Sequence, residues 1–364
     1  MIKVLHILNS LLPSGAETML SCSAHYWDKN IEKHILITNE NRGTYAETLE
    51  KTGYIIHQIC FENYFRQHIA VLKFIHANEF NIVHIHRQGE ACSYAIDAKI
   101  AGTKRIIRTV HNVFVFHGLV QMREFIARQM AVIIGSKHVA ISPSVKENEW
   151  NRFRIKCTEI DNWFNSDRFF YTDEMTKAEA RQKLKLDKNK FYIVSVGNCT
   201  PVKNHMSILK TLAKHKRDRA FQDVMYLHVG KGVQENEEKD FVKKNGLEEG
   251  VTFFGFDDPI LYLQAADLFV MPSLYEGFGI SGIEGLATGT RAVFTDVPGL
   301  RDFKKMKFEN LVFTPLSDEE IEKCICEEIT HRQIEKSQKQ AHEIRSLFGI
   351  QRGVELYERI YFNN

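Results

Sequence analysis

Short runs of β-branched and aromatic residues alternate with helix-patterned segments along almost the whole chain. This alternation is typical of βαβ units, in which a helix connects two parallel strands of one sheet. Strands are predicted at residues 3–8, 34–38, 54–59, 81–86, 105–110 and 138–142, and again at 191–197, 224–230, 251–255, 268–273, 292–296 and 311–313. The sequence therefore predicts an α/β fold built on doubly wound, parallel sheets.

The alternation lapses once, in a charged and polar stretch, and then restarts. A length of 364 residues agrees with two domains at roughly 150 residues for each. We expect an N-terminal Rossmann-like domain at residues 1–168, a linker at 169–190 and a second Rossmann-like domain at 191–345. Because parallel sheets bind ligands at the carboxyl ends of their strands, functional residues are expected just after the predicted strands.

The segment 346–364 carries one apolar helix face, formed by Ile350, Val354, Tyr357 and Tyr361. Their spacing of i, i+4, i+7 and i+11 predicts a helix with one buried side. Two interpretations stay open: the helix packs on the domain that precedes it, or it bridges the two domains.

Charge and cysteine content exclude several classes of protein. The 48 Lys and Arg residues nearly cancel the 46 Asp and Glu residues, so global charge gives no reason to expect nucleic-acid binding. The seven cysteines are scattered without a C-x-x-C pair, which predicts neither disulfides nor a zinc site and fits a reducing, cytoplasmic compartment. Apolar runs stay well short of 18 residues, and residues 1–8 are interpreted as a strand rather than a signal peptide.

The densest functional signal is the glycine-rich loop 277–282, which follows the strand predicted at 268–273 and opens a helix. Such a loop leaves main-chain N–H groups and a helix N-terminus free to hold phosphate. It formally matches G-x-G-x-x-G, and Asp296 ends the next strand. A dinucleotide site normally occupies the first βα turn of its domain, however, and this loop follows the fourth strand. A nicotinamide enzyme is therefore the disfavoured alternative.

Two carboxylates flank these glycines: Glu276 lies in the loop, and Glu284 lies in the helix. A carboxylate beside a phosphate loop is well placed to accept hydrogen bonds from sugar hydroxyls. Taken singly, Glu276 is better explained as a solvated loop acid, and Glu284 as an acid near a helix N-terminus. Together, Glu276-x7-Glu284 and the stretch D-L-F-V-M-P-S-L-Y-E-G-F-G at 267–279 resemble the signature of retaining GT-B glycosyltransferases, specifically family 4, also called group 1.

The resemblance covers essentially the whole chain. It implies a GT-B fold, in which two Rossmann-like domains face each other across a cleft, with the nucleotide-sugar donor in the C-terminal domain and the acceptor in the N-terminal one. It also implies that Glu276 holds the donor sugar's hydroxyls and Glu284 the ribose. The amides of Gly279 and Ile280 would then face the diphosphate. Gly277 and Phe278 complete the donor loop.

A second donor element follows the strand predicted at 191–197. Lys203 fits the family's lysine, which neutralises the diphosphate leaving group. Asn198 stands where the family has an arginine, and its neutral amide lacks a fixed charge and a bidentate fork. Stabilisation of the leaving group is therefore expected from Lys203, from loop amides and from His205.

In the first domain, Gly15 lies in Ser-Gly-Ala-Glu, which is similar to the family's Gly-Gly-Ala-Glu loop and lets the main chain approach a ligand. By the resemblance, His111 contacts the donor sugar; otherwise it is a buried, hydrogen-bonded histidine. His84 and His86 alternate on one strand. A single pair without a carboxylate or cysteine cluster predicts no metal, and His86 is assigned to the acceptor side.

Basic residues gather near apolar ones in the first domain. Such a surface either contacts the inner leaflet of an anionic membrane or is a solvated helix face. The basic residues are Arg105, Arg108, Arg123, Arg128, Lys137, Arg152, Arg154 and Lys156, and the apolar ones are Phe114, Phe116, Leu119, Phe125 and Ile126.

The predicted activity is metal-independent, cofactor-free transfer of a hexosyl unit from a nucleoside-diphosphate sugar, with UDP favoured over GDP. The acceptor is a saccharide or a lipid-linked molecule, and by association the pathway is capsule, exopolysaccharide, O-antigen or lipopolysaccharide synthesis. The alternatives are a sugar-nucleotide epimerase of similar architecture and a non-catalytic, nucleotide-sugar-binding partner subunit.

Overall fold

The computed structural model describes residues 1–12, 14–332 and 335–362. The chain divides into two compact units. Unit 1 contains Met1–Trp163 and the chain from Ile350 onward, and unit 2 contains Phe164–Gly349.

Unit 1 is built on a parallel sheet of seven strands, counted within the described residues. The strands are β1 (Ile2–Leu8), β2 (Ile31–Ile37), β3 (Ile55–Gln58), β4 (Ile82–Ile85), β5 (Arg105–Val110), β6 (Ser136–Ala140) and β7 (Thr158–Glu159). The helices between them are α1 (Gly15–Ser23), α2 (Ala46–Lys51), α3 (Tyr64–Asn78), α4 (Ala91–Ile100), α5 (Gly118–Ile133) and α6 (Pro143–Phe153). All of these strands except the short β7 were predicted from the sequence.

Unit 2 repeats this plan with six parallel strands among the residues described. They are β8 (Phe191–Val196), β9 (Val224–Val229), β10 (Val251–Gly255), β11 (Leu268–Met271), β12 (Arg291–Thr295) and β13 (Leu311–Thr314). The helices are α7 (Glu174–Lys183), α8 (Met206–His215), α9 (Glu235–Lys244), α10 (Ile260–Ala265), α11 (Ile280–Ala287), α12 (Asp318–His331) and α13 (Gln338–Phe348).

Both sheets have a doubly wound order: β3-β2-β1-β4-β5-β6-β7 in unit 1 and β10-β9-β8-β11-β12-β13 in unit 2. The strand order reverses between β1 and β4 and between β8 and β11. Helices cover both faces of such a sheet, so its central strands are largely apolar, as in the fully buried β11. The predicted class of two parallel-sheet α/β domains is confirmed, and the reversal points are where such folds bind ligands.

The last helix, α14 (Ile350–Phe362), belongs to unit 1, although the segment before it belongs to unit 2. Its predicted apolar face is buried in the core of unit 1, and Tyr361 donates to or accepts from His84 Nδ1 at 2.7 Å. Gly353 permits this packing, because a Cβ there would lie 2.1 Å from Cε3 of Trp163. Unit 1 is therefore assembled from two separate stretches of the chain.

Candidate functional site

The loops that follow β8 and β11 meet at the reversal point of the sheet in unit 2. The Leu274 N–H donates to the Val202 carbonyl at 2.7 Å, and the Asn204 side chain donates to the Pro272 carbonyl at 3.1 Å. Two hydrogen bonds thus join loops that are about 70 residues apart in sequence. The two loops that were predicted from separate motifs to bind the donor are therefore adjacent in the structure.

Lys203 and Glu276 form an ion pair at the centre of this site. Lys203 Nζ lies 2.6 Å from Glu276 Oε1, and the hydroxyl of Ser273 donates to the same oxygen at 2.7 Å. Both side chains are partly exposed. The pair places an ammonium group directly beside a carboxylate, and each charge balances the other in this structure.

Glycines allow these side chains to come together. A Cβ on Gly197 would lie 3.4 Å from Cε of Lys203, so the lysine stem packs directly over this glycine. Gly299 has φ +86°, and a Cβ there would lie 2.3 Å from the carbonyl oxygen of Glu276. The sequence reasoning missed Gly299; the Pro298-Gly299 turn directly after a predicted strand was the available signal.

The loop residues 277–280 lead into α11. Gly279 is the residue before the helix, with φ +77°, and its left-handed conformation favours glycine. Ile280 is the first helical residue, so its N–H is among those without a partner inside the helix. The buried Phe278 ring packs against Phe303 and Phe348, with centroids 5.5 Å apart in each case. The Phe278 ring is thus packed inside unit 2, and Gly277 beside it is also buried.

Glu284 lies in α11 and is 7% exposed. Burial raises the pKa of its carboxyl group to about 8, against a lowering influence of Arg168 and a further raising influence of Asp258. An isolated buried carboxylate is costly, whereas one that accepts hydrogen bonds is stabilised in its charged form. The side chain is therefore suited to bind a molecule that brings hydroxyl donors.

Asn198 is exposed, and its main chain packs on the turn after β9. A Cβ on Gly230 would lie 1.9 Å from the Gly197 carbonyl oxygen, so a glycine at 230 is required for this contact. His205 differs from the prediction. Its side chain is 3% exposed and faces the interior of unit 2, so the expectation that it helps to neutralise a leaving group is wrong.

Asp296, the acid that a dinucleotide site would use, is engaged in two ion pairs. It pairs with Lys304 at 2.6 Å and with Arg301 at 3.2 Å. The glycine loop follows β11, the fourth strand of unit 2, as the sequence indicated. Both observations disfavour the nicotinamide alternative.

In unit 1, the predicted residues His86 and His111 are in contact. His86 Nδ1 lies 2.9 Å from His111 Nε2, and His86 Nε2 lies 3.0 Å from Nδ1 of His6. Burial lowers the pKa of His111 to about 4 and that of His6 to about 3, with Arg108 adding to the former shift and Lys33 to the latter. The three rings therefore form a neutral, hydrogen-bonded chain at the carboxyl end of the sheet.

His84 has a structural partner at each ring nitrogen: Tyr361 at 2.7 Å and Thr109 at 2.7 Å. Gly15 begins α1 and is exposed. Just before it, the Ser14 hydroxyl donates to the buried carboxylate of Glu17, which fixes the start of the helix. This arrangement keeps the main chain at Gly15 accessible.

The predicted basic surface of unit 1 is partly wrong. Arg108 and Arg128 are each 3% exposed and lie 3.4 Å and 3.1 Å from the buried carboxylate of Glu149, so neither contacts solvent or a membrane. Helix α5 nevertheless exposes a row of large apolar side chains. They are Leu119, Val120, Met122, Ile126, Met130, Val132 and Ile133. Among the residues described, the helices are all too short or too polar to span a membrane.

Comparison with known proteins places these features in context. The family described as "Glycosyl transferases group 1" matches residues 176–345, which include Lys203, Glu276 and Glu284. The chain is 24% identical over 254 residues to UDP-Gal:alpha-D-GlcNAc-diphosphoundecaprenol alpha-1,3-galactosyltransferase of Escherichia coli, covering 67% of this chain and 65% of that protein. It is 27% identical over 250 residues to mannosylfructose-phosphate synthase of Agrobacterium fabrum, covering 65% and 53%. The chain thus spans between half and two thirds of the lengths of these relatives.

Among solved structures, Anabaena HepE in complex with UDP and glucose superposes with a TM-score of 0.83 over all of both chains, at 19% identity. At this identity the likeness concerns the fold, which is that of GT-B proteins.

Proposed function

We propose that this chain is a group 1 glycosyltransferase, and that it transfers a hexosyl unit from a UDP-sugar to a saccharide or lipid-linked acceptor with retention of anomeric configuration. The observation that carries the proposal is the contact between Lys203 and Glu276 beside the N-terminus of α11. It unites a phosphate-binding cation, a hydroxyl-binding carboxylate and free helix amides at the ligand-binding edge of a doubly wound sheet.

A bound donor would separate this ion pair, with one charged group contacting its diphosphate and the other its sugar. The diphosphate takes the Lys203 ammonium, with the amides of Gly279 and Ile280 beside it, and the sugar hydroxyls donate to Glu276. Negative charge grows on the diphosphate as the glycosidic bond breaks, so a cation held in advance at that position lowers the barrier. Asn198 supplies a neutral donor where the family has an arginine, which leaves Lys203 as the principal charge.

The ribose would occupy the space at Glu284. Its vicinal hydroxyls donate to the carboxylate and supply the hydrogen bonds that a buried, charged group requires. The E. coli relative uses a UDP-sugar by its name, and the HepE structure holds UDP, which supports uridine as the base.

Unit 1 is proposed to bind the acceptor, with His86 on the acceptor side. Gly15 and His111 are proposed to keep the roles toward the donor that the resemblance implies. The name of the E. coli relative includes a diphosphoundecaprenol acceptor, which supports a lipid-linked molecule and a role in surface-polysaccharide synthesis. The apolar side chains exposed on α5 (Gly118–Ile133), with Arg123 among them, are suited to rest on the cytoplasmic face of an anionic membrane.

The test is a turnover assay with UDP-glucose, UDP-galactose, UDP-N-acetylglucosamine and GDP-mannose, with and without diphosphate-linked lipid acceptors. We expect release of UDP from one UDP-sugar and an α-linked product by NMR. Binding of UDP-sugar without turnover would favour the partner-subunit alternative. That alternative is considered because the exposed Asn198 stands where the family has an arginine. Conversion of the donor into an isomeric sugar would favour the epimerase. A chain that binds none of these nucleotides would refute the donor site itself.

A matched pair of variants connects turnover with the site. Lys203→Ala removes the cation at the reversal point of the sheet in unit 2. Lys210→Ala removes a lysine of the same unit that is exposed and paired with Asp318. We expect loss of turnover in the first variant and unchanged turnover in the second.

A further inference from the structure

Four buried side chains of ligand type converge in unit 2, and two of them belong to the loop after β8 that carries Lys203. They are Cys199 and His205, which flank the turn carrying Lys203, His228 on β9 and Glu238 on α9. One ligand atom from each lies within 4.8 Å of all the others. The four residues are between 0% and 3% exposed. A closed polar cluster of this kind is unusual in the interior of a domain, where buried polar groups are normally paired.

The contacts within the cluster have the dimensions of a ligand set. Cys199 Sγ lies 3.0 Å from Nε2 of His228, and His205 Nδ1 lies 3.5 Å from Oε1 of Glu238. The two imidazole rings have centroids 4.3 Å apart. Ligand atoms about 2.0–2.3 Å from one tetrahedral ion lie roughly 3.3–3.8 Å from each other, so these separations need only small adjustments.

Several of these atoms lack a protein partner. Within the described residues, His205 Nδ1 and both carboxylate oxygens of Glu238 are buried, and none of the three atoms has a hydrogen-bond partner of acceptable geometry. Leaving such groups unpaired costs about 1–3 kcal/mol each, and more for a charged group. A cation at the centre of the cluster would satisfy all three atoms at once.

The surroundings orient the ligands. His228 Nδ1 lies 3.0 Å from the Ser195 hydroxyl and 3.3 Å from the Tyr226 hydroxyl, so its Nε2 is directed at the cluster. Outer hydrogen bonds of this kind fix the tautomer of metal-binding histidines. Cys199 is held by its main chain, whose N–H donates to Lys231 and whose carbonyl accepts from Gln234. Both side chains are thus positioned by groups that are not themselves ligands.

We propose that Cys199, His205, His228 and Glu238 bind one Zn²⁺ ion in a closed, structural site. A sulfur, two imidazole nitrogens and a carboxylate suit zinc, whereas Ca²⁺ and Mg²⁺ prefer oxygen ligands. Four protein ligands leave no open position for a substrate, so this site differs from a catalytic zinc site. The prediction of no metal considered ligands that are close in sequence, and here only the fold brings residues 199, 205, 228 and 238 together.

The ion would hold the loop that carries Lys203. Cys199 precedes this lysine by four residues and His205 follows it by two, so both ends of the turn would be attached to β9 and α9 through the metal. The inference does not depend on the proposed transferase activity, because metal content and activity are measured separately.

The experiment uses the full chain purified without a polyhistidine tag. Inductively coupled plasma mass spectrometry should find about one zinc per chain, and Co²⁺ exchanged into the protein should show thiolate charge-transfer and tetrahedral d–d absorption bands. Cys199→Ser should lose the charge-transfer band and most of the metal. Cys324→Ser, which alters a buried cysteine elsewhere in unit 2, should keep both.

A variant that fails to fold would not answer the question, so the unmodified chain is also tested. After treatment with a chelator, Zn²⁺ at about 100 times its Kd should raise Tm by several degrees, and Mg²⁺ should not. Two results would overturn the proposal. One is a chain purified without metal that shows neither Co²⁺ bands nor a Tm shift with Zn²⁺. The other is bound Co²⁺ without a thiolate band.

Discussion

The buried carboxyl group of Glu284 makes a quantitative prediction about nucleotide binding. Its pKa is about 8 in the ligand-free protein because burial disfavours the charge. If ribose hydroxyls donate to this group, its pKa falls in the complex, and binding of UDP releases a proton. The affinity for UDP must then rise with pH up to the ligand-free pKa and level off above it.

The magnitude follows from that pKa. About 1% of the carboxyl groups are ionised at pH 6 and about 90% at pH 9, so the ionised fraction increases close to 100-fold. If the pKa in the complex lies below 6, this contribution alone strengthens UDP binding by about 100-fold, or ~2.7 kcal/mol, between these pH values. Most of the gain falls between pH 6 and pH 8.

Isothermal titration calorimetry at pH 6, 7, 8 and 9 measures this dependence. The terminal phosphate of UDP also titrates, near pH 6, so the comparison that matters is between the unmodified chain and Glu284→Gln. The variant keeps the size of the side chain and loses its ionisation. We expect similar affinities at pH 6 and a large deficit for the variant at pH 9. Parallel pH profiles for the two proteins would refute a hydrogen bond from ribose to an ionised Glu284.

Three further predictions concern the donor loops. Lys203→Ala should lower kcat by about 10²–10³ and change the donor KM less, since charge on the diphosphate grows in the transition state; steady-state kinetics that show only a higher KM would assign the lysine to ground-state binding. Asn198→Arg should keep or raise kcat if this exposed position faces the phosphates, whereas a folded, inactive variant would show that the site is built around asparagine. Gly299→Ala should lower the free energy of unfolding in urea by more than Gly102→Ala does, and it should also weaken UDP binding. Both glycines have φ near +90°, but only at 299 would the new Cβ meet the Glu276 carbonyl. Equal losses of unfolding free energy in the two variants would contradict that contact.

The sequence predicts the strands well because their signal is local. Runs of β-branched residues indicate the central strands, and the glycines before α11 are close together in the sequence. Strand β7 has two residues and no such signal. The assigned roles of Glu276, Glu284 and His111 stay predictions, although the structure brings Lys203 to Glu276 and His86 to His111.

Burial of polar residues could not be read from the sequence, because it depends on partners far along the chain. His205 lies two residues after the partly exposed Lys203, and it packs against His228 of β9 and Glu238 of α9. Arg108 and Arg128 were predicted to be surface charges, but both pair with the buried Glu149 of helix α6. The same limitation hid the cluster formed by residues 199, 205, 228 and 238.

The position of α14 has a consequence for synthesis of the chain. The ribosome completes every residue of unit 2 before it reaches Tyr357 and Tyr361, which fill the core of unit 1. While the next 186 residues are translated, residues 1–163 therefore lack α14. Part of their apolar interior stays open to solvent during this time, including the side of Trp163 that Gly353 covers. The half of the protein that is made first is thus the half that finishes folding last, and an N-terminal fragment cut at residue 163 should be prone to aggregation.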